Sequence, residues 1–260
     1  MITSRITFVL EHDGLAGWQL QELKQLTDYF HSLFVFYNVT RGKQATLNES
    51  LRIMSLGSCR HDLCQLAIEG LDAELACIVF TEYLREHATL ISTSHKPNHH
   101  AKRLFTEHSA FQLPFVYDWH YQRSQNLSDK RLALTRIAEL ANPNATSGLL
   151  TQLLARECIS STAMAGGIAL PHVVSEHIDR PCLIVFSLDE ALDWQSAHEP
   201  VHLVCSILLP AALHQEWLIA VTRLTRWFIA DASTHLLLSA RREETIQSIL
   251  LHIMAHYQPS

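Results

Sequence analysis

The segment from Arg156 to His172 holds the densest set of residues in this chain that could do chemistry. Two adjacent glycines, Gly166 and Gly167, allow the backbone to take positive φ angles or to approach a ligand closely. Pro171 then stiffens the chain just before His172. An imidazole on a stiff turn, with a guanidinium, a hydroxyl and backbone N–H groups nearby, is suited to attack a phosphoryl group. The residues alone leave two readings of His172, a nucleophile or a structural histidine that caps a turn.

The order of these residues follows a longer pattern, R-E-x-x-x-S-T and then G-I-A-x-P-H. The matching positions are Arg156, Glu157, Ser161, Thr162, Gly167, Ile168, Ala169, Pro171 and His172. This pattern resembles the active-site motif of the enzyme IIA (EIIA) components of the phosphoenolpyruvate-dependent phosphotransferase system (PTS), of the fructose, mannitol and nitrogen-regulatory type. The similarity extends over about residues 131–255. It implies that His172 accepts a phosphoryl group and that Arg156, Thr162 and Gly167 support the phosphate.

Two positions depart from the family pattern. Ala165 stands where the motif has its first glycine. The family also has a second active-site histidine at the start of a helix, and His214 is the candidate for it here. Counting from Pro210, however, places Trp217 at that position. The resemblance therefore implies a phosphoryl site that is altered on one side.

The N-terminal part shows the alternation of a small α+β domain, with the predicted order βαββαβα over residues 1–88. Three segments, Gly14-Leu15, Ile53–Gly57 and Glu69–Ala73, resemble the phosphocarrier protein HPr of the same system, over residues 4–86. The resemblance implies an open-faced sandwich of a sheet and helices.

The histidine that accepts the phosphoryl group in HPr is missing from this part of the chain. Ala16 occupies its position, Trp18 replaces the neighbouring arginine, and His12 lies before the turn on another element. At the position of the regulatory serine the chain has Glu49, a fixed negative charge, beside Ser50. The resemblance therefore implies an HPr-like domain without its own phosphoryl acceptor.

Residues 89–128 contain prolines and polar clusters and are predicted to form a linker, whose apolar stretch 113–119 would dock on a neighbouring domain. Residues 129–260 are predicted to form the EIIA-like domain, a mixed sheet flanked by helices, so the fold class is α+β or α/β. Its predicted helices are 132–140, 146–156, 216–228 and 244–256, and its predicted strands are 182–188 and 201–209.

Composition narrows the classes of function. The chain has 260 residues and a formal charge of −6, which disfavours nucleic-acid binding. No apolar stretch is long enough to cross a bilayer, and no export signal is evident, so no direct membrane insertion is expected. The six cysteines have no C-x-x-C spacing and fit reduced core thiols in a cytoplasmic protein.

The sequence therefore predicts a cytoplasmic PTS phosphocarrier or regulatory protein that needs no cofactor. It would take a phosphoryl group on His172 from a separate phospho-HPr and pass it to an EIIB component or a regulated protein. The alternative is a non-catalytic regulatory binding protein derived from PTS components.

A weaker idea is a metal-dependent enzyme that uses the abundant histidines. The candidate ligands are His95, His99, His100 and His108 in the predicted linker and His252 and His256 near the C-terminus. Their loose spacing favours histidines of a solvated linker and of a helix face over metal ligands, and the prediction is that no metal is bound.

Overall fold

The structure is a computed structural model that describes residues 2–95, 100–124, 127–230, 234–240 and 242–257. The chain divides into two compact units. The first comprises residues 1–112 together with 240–260, and the second comprises residues 113–239.

The first unit is built on a five-stranded sheet with the order β3-β2-β4-β1-β5. Its elements are β1 (Ile2–Leu10), α1 (Gly17–Thr27), β2 (Leu33–Asn38), β3 (Lys43–Thr46), α2 (Ser50–Met54), β4 (Leu63–Gly70), α3 (Ala73–His87), β5 (Ala88–Thr93), α4 (Ala101–Glu107) and, from the C-terminal segment, α9 (Glu243–His256). The predicted order βαββαβα is confirmed from β1 to α3. All the pairings that β1 and β2 make in this sheet are antiparallel.

Both faces of this sheet are covered. On one face, Phe8 packs with the buried side chains of α1 to α3. Thr7 points to the other face because successive residues of a strand alternate. Its partner in β5 is Ser92, which hydrogen-bonds Thr245 of α9 at 2.6 Å. The sheet of the predicted open-faced sandwich therefore has α9 against its second face.

Residues 89–128, predicted as a linker, contain regular structure. They hold β5 on the edge of the first sheet, α4, and β6 (Asp118–Ser124) in the second unit. The second unit also ends before the predicted boundary at residue 260, because 240–260 pack with the first unit. Pro114 lies between α4 and β6, and the strands β5 and β6 pair with strands that are distant in the sequence.

The second unit contains a six-stranded sheet in the order β6-β10-β11-β8-β7, and β9 also pairs with β11. Its remaining elements are α5 (Lys130–Ala141), a 3₁₀ turn (Pro143–Ala145), α6 (Thr146–Ile159), β7 (Ala163–Met164), β8 (Ile168–Ala169), β9 (His172–Ser175), β10 (Cys182–Leu192), β11 (Val201–Pro210), α7 (Gln215–Ile229) and α8 (Thr234–Leu238). β10 and β11 are antiparallel, whereas β6, β8 and β9 join the sheet in parallel. The predicted mixed sheet flanked by helices is confirmed.

Helices α5 and α6 bury their apolar sides in the core of the second unit. Asp129 caps α5, and its carboxylate accepts the backbone N–H of Leu132 at 2.8 Å. Leu149 and Leu153 of α6 are buried beside the strands β10 and β11. This packing fixes α6, and the C-terminal turn of α6 carries the first residues of the candidate site.

Candidate functional site

The last turn of α6 directs two adjacent side chains to different partners. Consecutive residues of an α-helix point about 100° apart around its axis. Arg156 reaches His172 from this turn, whereas Glu157 turns inward to Thr162 and Trp194. The Arg-Glu pair of the sequence pattern therefore serves two separate tasks.

The chain just before His172 is fixed from the neighbouring strand. The carbonyl oxygen of Pro171 accepts the backbone N–H of Ile207 at 3.0 Å and the hydroxyl of the buried Ser206 at 2.9 Å. His172 then begins β9, which runs parallel to β11. The backbone at His172 is thus hydrogen-bonded to β11, the central strand of the sheet, and does not belong to a free loop.

The hydrogen bonds of the half-buried imidazole of His172 define its tautomer. Nε of Arg156 lies 3.1 Å from Nε2, and the carbonyl oxygen of Leu170 lies 2.8 Å from Nδ1. Arginine only donates hydrogen bonds and a carbonyl only accepts them. The proton of the neutral ring is therefore on Nδ1, and Nε2 presents a lone pair.

Arg156 itself is held beside that lone pair. Its Nη1 donates to the carbonyl oxygen of Ser160 at 2.9 Å. A guanidinium has five donors in a rigid plane, so hydrogen bonds to Ser160 and His172 leave others for an anion. The arrangement places a fixed positive charge next to the nucleophilic nitrogen.

Glu157 holds the loop that leads to the imidazole. Its side chain is 4% exposed. Its carboxylate accepts the backbone N–H of Thr162 at 3.2 Å, the hydroxyl of Thr162, and Nε1 of Trp194 at 3.2 Å. Nζ of Lys130 lies 3.8 Å from the same carboxylate and supplies a positive charge. The buried carboxylate is thus fully hydrogen-bonded, as a buried charge must be.

Thr162 connects this carboxylate to the imidazole through the backbone. Its carbonyl oxygen accepts the N–H of Leu170 at 2.9 Å, and the carbonyl oxygen of Leu170 is the acceptor for Nδ1 of His172. The sequence predicts Thr162 as a phosphate-side residue. The structure places its hydroxyl on Glu157, so Thr162 positions the site through its backbone.

The adjacent glycines form the turn between β7 and β8. Gly166 and Gly167 have φ angles of +82° and +70°, which L side chains rarely adopt. The carbonyl oxygen of Gly167 accepts the N–H of His202 at 2.7 Å, and a Cβ at Gly167 would lie 3.1 Å from the carbonyl oxygen of Pro200. Gly167, a predicted phosphate-side residue, thus joins the turn to the start of β11 through this hydrogen bond.

A comparison with protein families identifies the domain that carries this site. The sequence model of the family described as phosphoenolpyruvate-dependent sugar phosphotransferase system, EIIA 2, matches residues 119–253. The chain belongs to this family. The match includes all five predicted site residues of the EIIA domain and extends into α9.

The chain is similar to individual proteins among curated sequences and solved structures. The chain is 27% identical over 106 residues to the fructose-specific EIIA component of the phosphotransferase system of Haloferax volcanii, a match of 40% of this chain and 69% of that protein. Among solved structures, the nitrogen regulatory protein IIA-Ntr of Neisseria meningitidis is 19% identical and covers 51% of this chain and 91% of its own, with a TM-score of 0.44. The phosphocarrier HPr of Bacillus anthracis is 24% identical and covers 32% of this chain and 94% of its own, with a TM-score of 0.27.

His214, the candidate for the second active-site histidine of the EIIA domain, lies at the N-terminus of α7. It is exposed, and its ring packs edge-on against Trp217, with centroids 4.5 Å apart. The segment before His214 leaves the sheet at Ala211, whose backbone N–H donates to the carbonyl oxygen of Ser175. Ser175 lies three residues after His172 in β9. Among the described residues, His172 is hydrogen-bonded to Arg156, whereas the ring of His214 contacts Trp217.

The N-terminus of α1, which the sequence resemblance aligns with the histidine of HPr, has Ala16 at that position. Ala16 is the N-cap residue, and its backbone N–H donates to the side chain of Gln19 at 2.8 Å. The exposed Trp18 packs edge-on against His87, with ring centroids 5.5 Å apart. His12 is exposed on the segment before α1. The helix N-terminus is thus intact, whereas the phosphoryl acceptor is missing.

Glu49 stands at the N-cap of α2 as a stable negative charge. Hydrogen bonds from the hydroxyl of Thr46 at 2.9 Å and from Arg52 at 3.3 Å lower the pKa of its carboxyl below the usual range. It therefore stays ionised at neutral pH and is a fixed negative charge, as the sequence predicts.

Two of the histidines that the sequence offers as metal ligands, His95 and His252, have other partners. His95 bonds the hydroxyl of Ser4 at 2.8 Å, and His99 lies outside the described residues. Both ring nitrogens of His252 are hydrogen-bonded. Nε2 lies 2.8 Å from the hydroxyl of Thr40, and Nδ1 lies 2.9 Å from the carbonyl oxygen of Ala110. Burial lowers the pKa of His252 to about 3, so this ring is a neutral part of the core. None of the helices in the described part of the chain is long and apolar enough to span a membrane.

Proposed function

We propose that the EIIA domain is a phosphocarrier that accepts a phosphoryl group on Nε2 of His172. The donor is the phosphohistidine of a separate HPr-type protein, because Ala16 leaves this chain without one of its own. The observation that carries the proposal is the lone pair on Nε2, fixed by the bond from Nδ1 to Leu170 and presented beside Arg156. The protein acts in the cytoplasm, where the other soluble PTS components would meet it.

The transfer is an in-line displacement between two imidazoles. The lone pair of His172 Nε2 attacks the donor's phosphorus, a new N–P bond forms, and the electrons of the old N–P bond return to the donor nitrogen. Both ends of the reaction are phosphoimidazoles, so the step is close to isoenergetic. No metal is required for this displacement.

Two groups of the site assist this step. Arg156 moves its hydrogen bond from Nε2 to a phosphoryl oxygen and offsets the charge that arrives. The carbonyl oxygen of Leu170 keeps the proton on Nδ1, so the ring stays in the reactive tautomer. Glu157, through Thr162, holds Leu170 in place and acts as a positioning residue.

The phosphoryl group then passes to an EIIB component or remains as a signal to a regulated protein. Sugar transport and nitrogen-type regulation both begin with the same phosphohistidine. The HPr-like unit serves as a docking or inhibitory surface, which the intact N-terminus of α1 without its histidine supports.

The alternative is a regulatory binding protein in which phosphorylation is lost. Ala16 in the first unit, and Trp217 in place of the second histidine, favour it. In that protein the partner surface would be retained and His172 would remain unmodified.

One labelling experiment separates the two functions. The full chain is incubated with labelled phosphoenolpyruvate, enzyme I and several HPr proteins, and acid-labile phosphate is measured. The phosphocarrier predicts label that is lost in His172→Ala and retained in His214→Ala and His12→Ala. A chain that takes no label from any HPr, while it still binds one of them, would support the binding protein instead.

A further inference from the structure

Three potential metal ligands converge in the first unit. Glu11, His61 and His108 each offer one ligand atom, and these atoms all lie within 4.8 Å of one another. Nε2 of His108 is 3.4 Å from Oε1 of Glu11, and the rings of His61 and His108 meet edge-on with centroids 5.2 Å apart. All three side chains are partly buried.

Separate elements bring these ligands together. Glu11 directly follows β1, His61 lies in the turn before β4, and His108 caps the C-terminus of α4. About fifty residues separate each ligand from the next along the chain. The sequence spacing therefore does not reveal the cluster, and only the pairing of β1 with β4 and the packing of α4 create it.

The three side chains are held in place by their neighbours. The hydroxyl of Thr89 donates to Glu11, and Nδ1 of His61 lies 3.1 Å from the hydroxyl of Ser109. His61 has a φ of 69°, in the left-handed region, and its N–H donates to the carbonyl oxygen of Leu10 at 2.7 Å. A non-glycine residue in this region is uncommon and marks a position whose side-chain direction is fixed by its surroundings.

We propose that Glu11, His61 and His108 bind a divalent transition metal of the zinc type. Zinc takes imidazole nitrogens and carboxylate oxygens at about 2.0–2.2 Å, so tetrahedral ligands lie about 3.3–3.5 Å from one another. The pair Glu11–His108 already has this separation at 3.4 Å. The ligand atom of His61, which lies within 4.8 Å of the other two, must move closer to complete the set. Two imidazoles favour zinc, nickel or copper over magnesium and calcium, which prefer sets of oxygen ligands.

Metal binding requires one change of tautomer. The N–H of Ala110 donates to Nδ1 of His108 at 3.1 Å, so without metal the ring carries its proton on Nε2, toward Glu11. The metal takes the place of this proton on Nε2, and the ring proton moves to Nδ1. Two donors would then face each other at Ala110, so residues 108–110 must shift. This shift provides a local signal of binding that is independent of activity.

His61 binds the metal through Nε2. Its Nδ1 lies 3.1 Å from the hydroxyl of Ser109, so in the metal-bound state Nδ1 carries the ring proton and donates it to that hydroxyl. The bound ion joins the end of β1, the turn before β4 and the end of α4. It therefore ties the segment after α4 to the sheet of the HPr-like unit.

The test measures metal binding by the full chain after treatment with a chelator. Equilibrium dialysis with Zn²⁺ should give one tight site, and Mg²⁺ should give none. Co²⁺ should give the visible bands of a four-coordinate site with nitrogen and oxygen ligands, without the near-ultraviolet absorption of a thiolate. The amide signal of Ala110 in an NMR spectrum should move on addition of one equivalent of Zn²⁺.

Conservative variants identify the ligands. Glu11→Gln, His61→Asn and His108→Gln should each weaken Zn²⁺ binding at least tenfold, since each removes one of three ligands. Asparagine is chosen at position 61 because it tolerates the left-handed region. His12→Gln, which changes the exposed neighbouring histidine, should bind like the wild type. His256→Gln should also leave the site intact, which separates it from the histidine pair of α9.

The proposal is overturned if Glu11→Gln, a near-isosteric change, binds Zn²⁺ as tightly as the wild type. It is also overturned if alkylation of the cysteines abolishes binding, or if the Ala110 signal does not respond. Melting curves in the presence of chelator show whether each variant is folded, and Glu11→Gln keeps an acceptor for Thr89. Because no readout involves phosphate, a negative result here would leave the proposed phosphocarrier function unaffected.

Discussion

Removal of the carboxylate of Glu157 is expected to destabilise the second unit strongly. The group is buried and accepts hydrogen bonds from Thr162 and from Trp194, with Lys130 as its counter-charge. Glu157→Ala would leave buried donors without an acceptor, and loss of one partner from a buried charged network costs about 3–5 kcal/mol. Glu157→Gln keeps one acceptor oxygen but presents its amide to another donor, so the expected cost is about 1–3 kcal/mol.

Urea unfolding of the full chain, followed by circular dichroism, measures this effect. With a slope of about 2 kcal/mol per molar urea, the midpoint of the transition of the second unit should fall by about 2 M in Glu157→Ala. Glu190→Ala, an exposed change in the same unit, serves as the control and should stay within about 0.5 kcal/mol of wild type.

The same variant should also slow phosphorylation of His172. The loss of Glu157 frees Thr162, which holds Leu170 and through it the tautomer of the imidazole. An unfolding midpoint equal to that of wild type in Glu157→Ala would refute the reasoning about the network. A normal midpoint shift with an unchanged phosphorylation rate would refute only the link from Glu157 to the imidazole.

Three further predictions concern the nucleophile's partner, the glycine turn and the buried histidine. Arg156→Met should lower the rate of phosphoryl transfer to His172 by about 10²-fold, because an electrostatic donor at the reacting group is lost, with little change in circular dichroism; a rate equal to wild type would show that Arg156 does not meet the phosphoryl group. Gly167→Ala should destabilise the second unit by about 1–3 kcal/mol in urea unfolding, since φ is +70° and a Cβ would lie 3.1 Å from a carbonyl oxygen of Pro200; a neutral or stabilising effect would contradict the turn geometry. His252 has a pKa lowered to about 3 by burial, so the unfolded chain binds its proton first as the pH falls. Stability should therefore decline below about pH 6.5, by about 2 kcal/mol at pH 5, and His252→Gln should have a flatter dependence on pH; equal slopes for the two proteins would contradict the burial of a neutral ring.

The elements with strong local periodicity could be predicted from the sequence. Apolar residues at helical spacing indicate α5, α6 and α7, because each of these helices buries one face. Long apolar stretches indicate β10 and β11, because these strands are buried on successive residues. The proximity of Arg156 to His172 also agrees with the motif. These features depend on short-range order or on a pattern of adjacent residues.

Contacts between distant segments could not be predicted in this way. β5 is a short edge strand of six residues whose partner β1 lies some eighty positions earlier, so its sequence resembles a polar linker. The second covered face of the first sheet depends on α9, which lies beyond the whole second unit in sequence. One signal for it is present in the sequence, since residues 63–68 are apolar on successive positions except Gln65, as in a strand covered on both sides.

The hydrogen-bonding roles of Glu157 and Thr162 could not be predicted from the sequence either. Glu157 was matched only as part of the motif, because a sequence does not show that a carboxylate turns inward. The positioning role of Thr162 depends on its backbone carbonyl oxygen, which every residue has. Its side-chain type therefore indicated a different role, that of a phosphate-side residue. Glu11, His61 and His108 converge only in the folded chain.

The central claim is that Nε2 of His172 receives the phosphoryl group. Nitrogen NMR of the chain labelled at histidine, recorded before and after phosphorylation by enzyme I and an HPr, reports each ring nitrogen separately. We expect one histidine to change, with phosphorus on Nε2 and the proton retained on Nδ1, and we expect no such change in His172→Ala. A phosphoryl group on Nδ1, or on a histidine other than His172, would contradict the account.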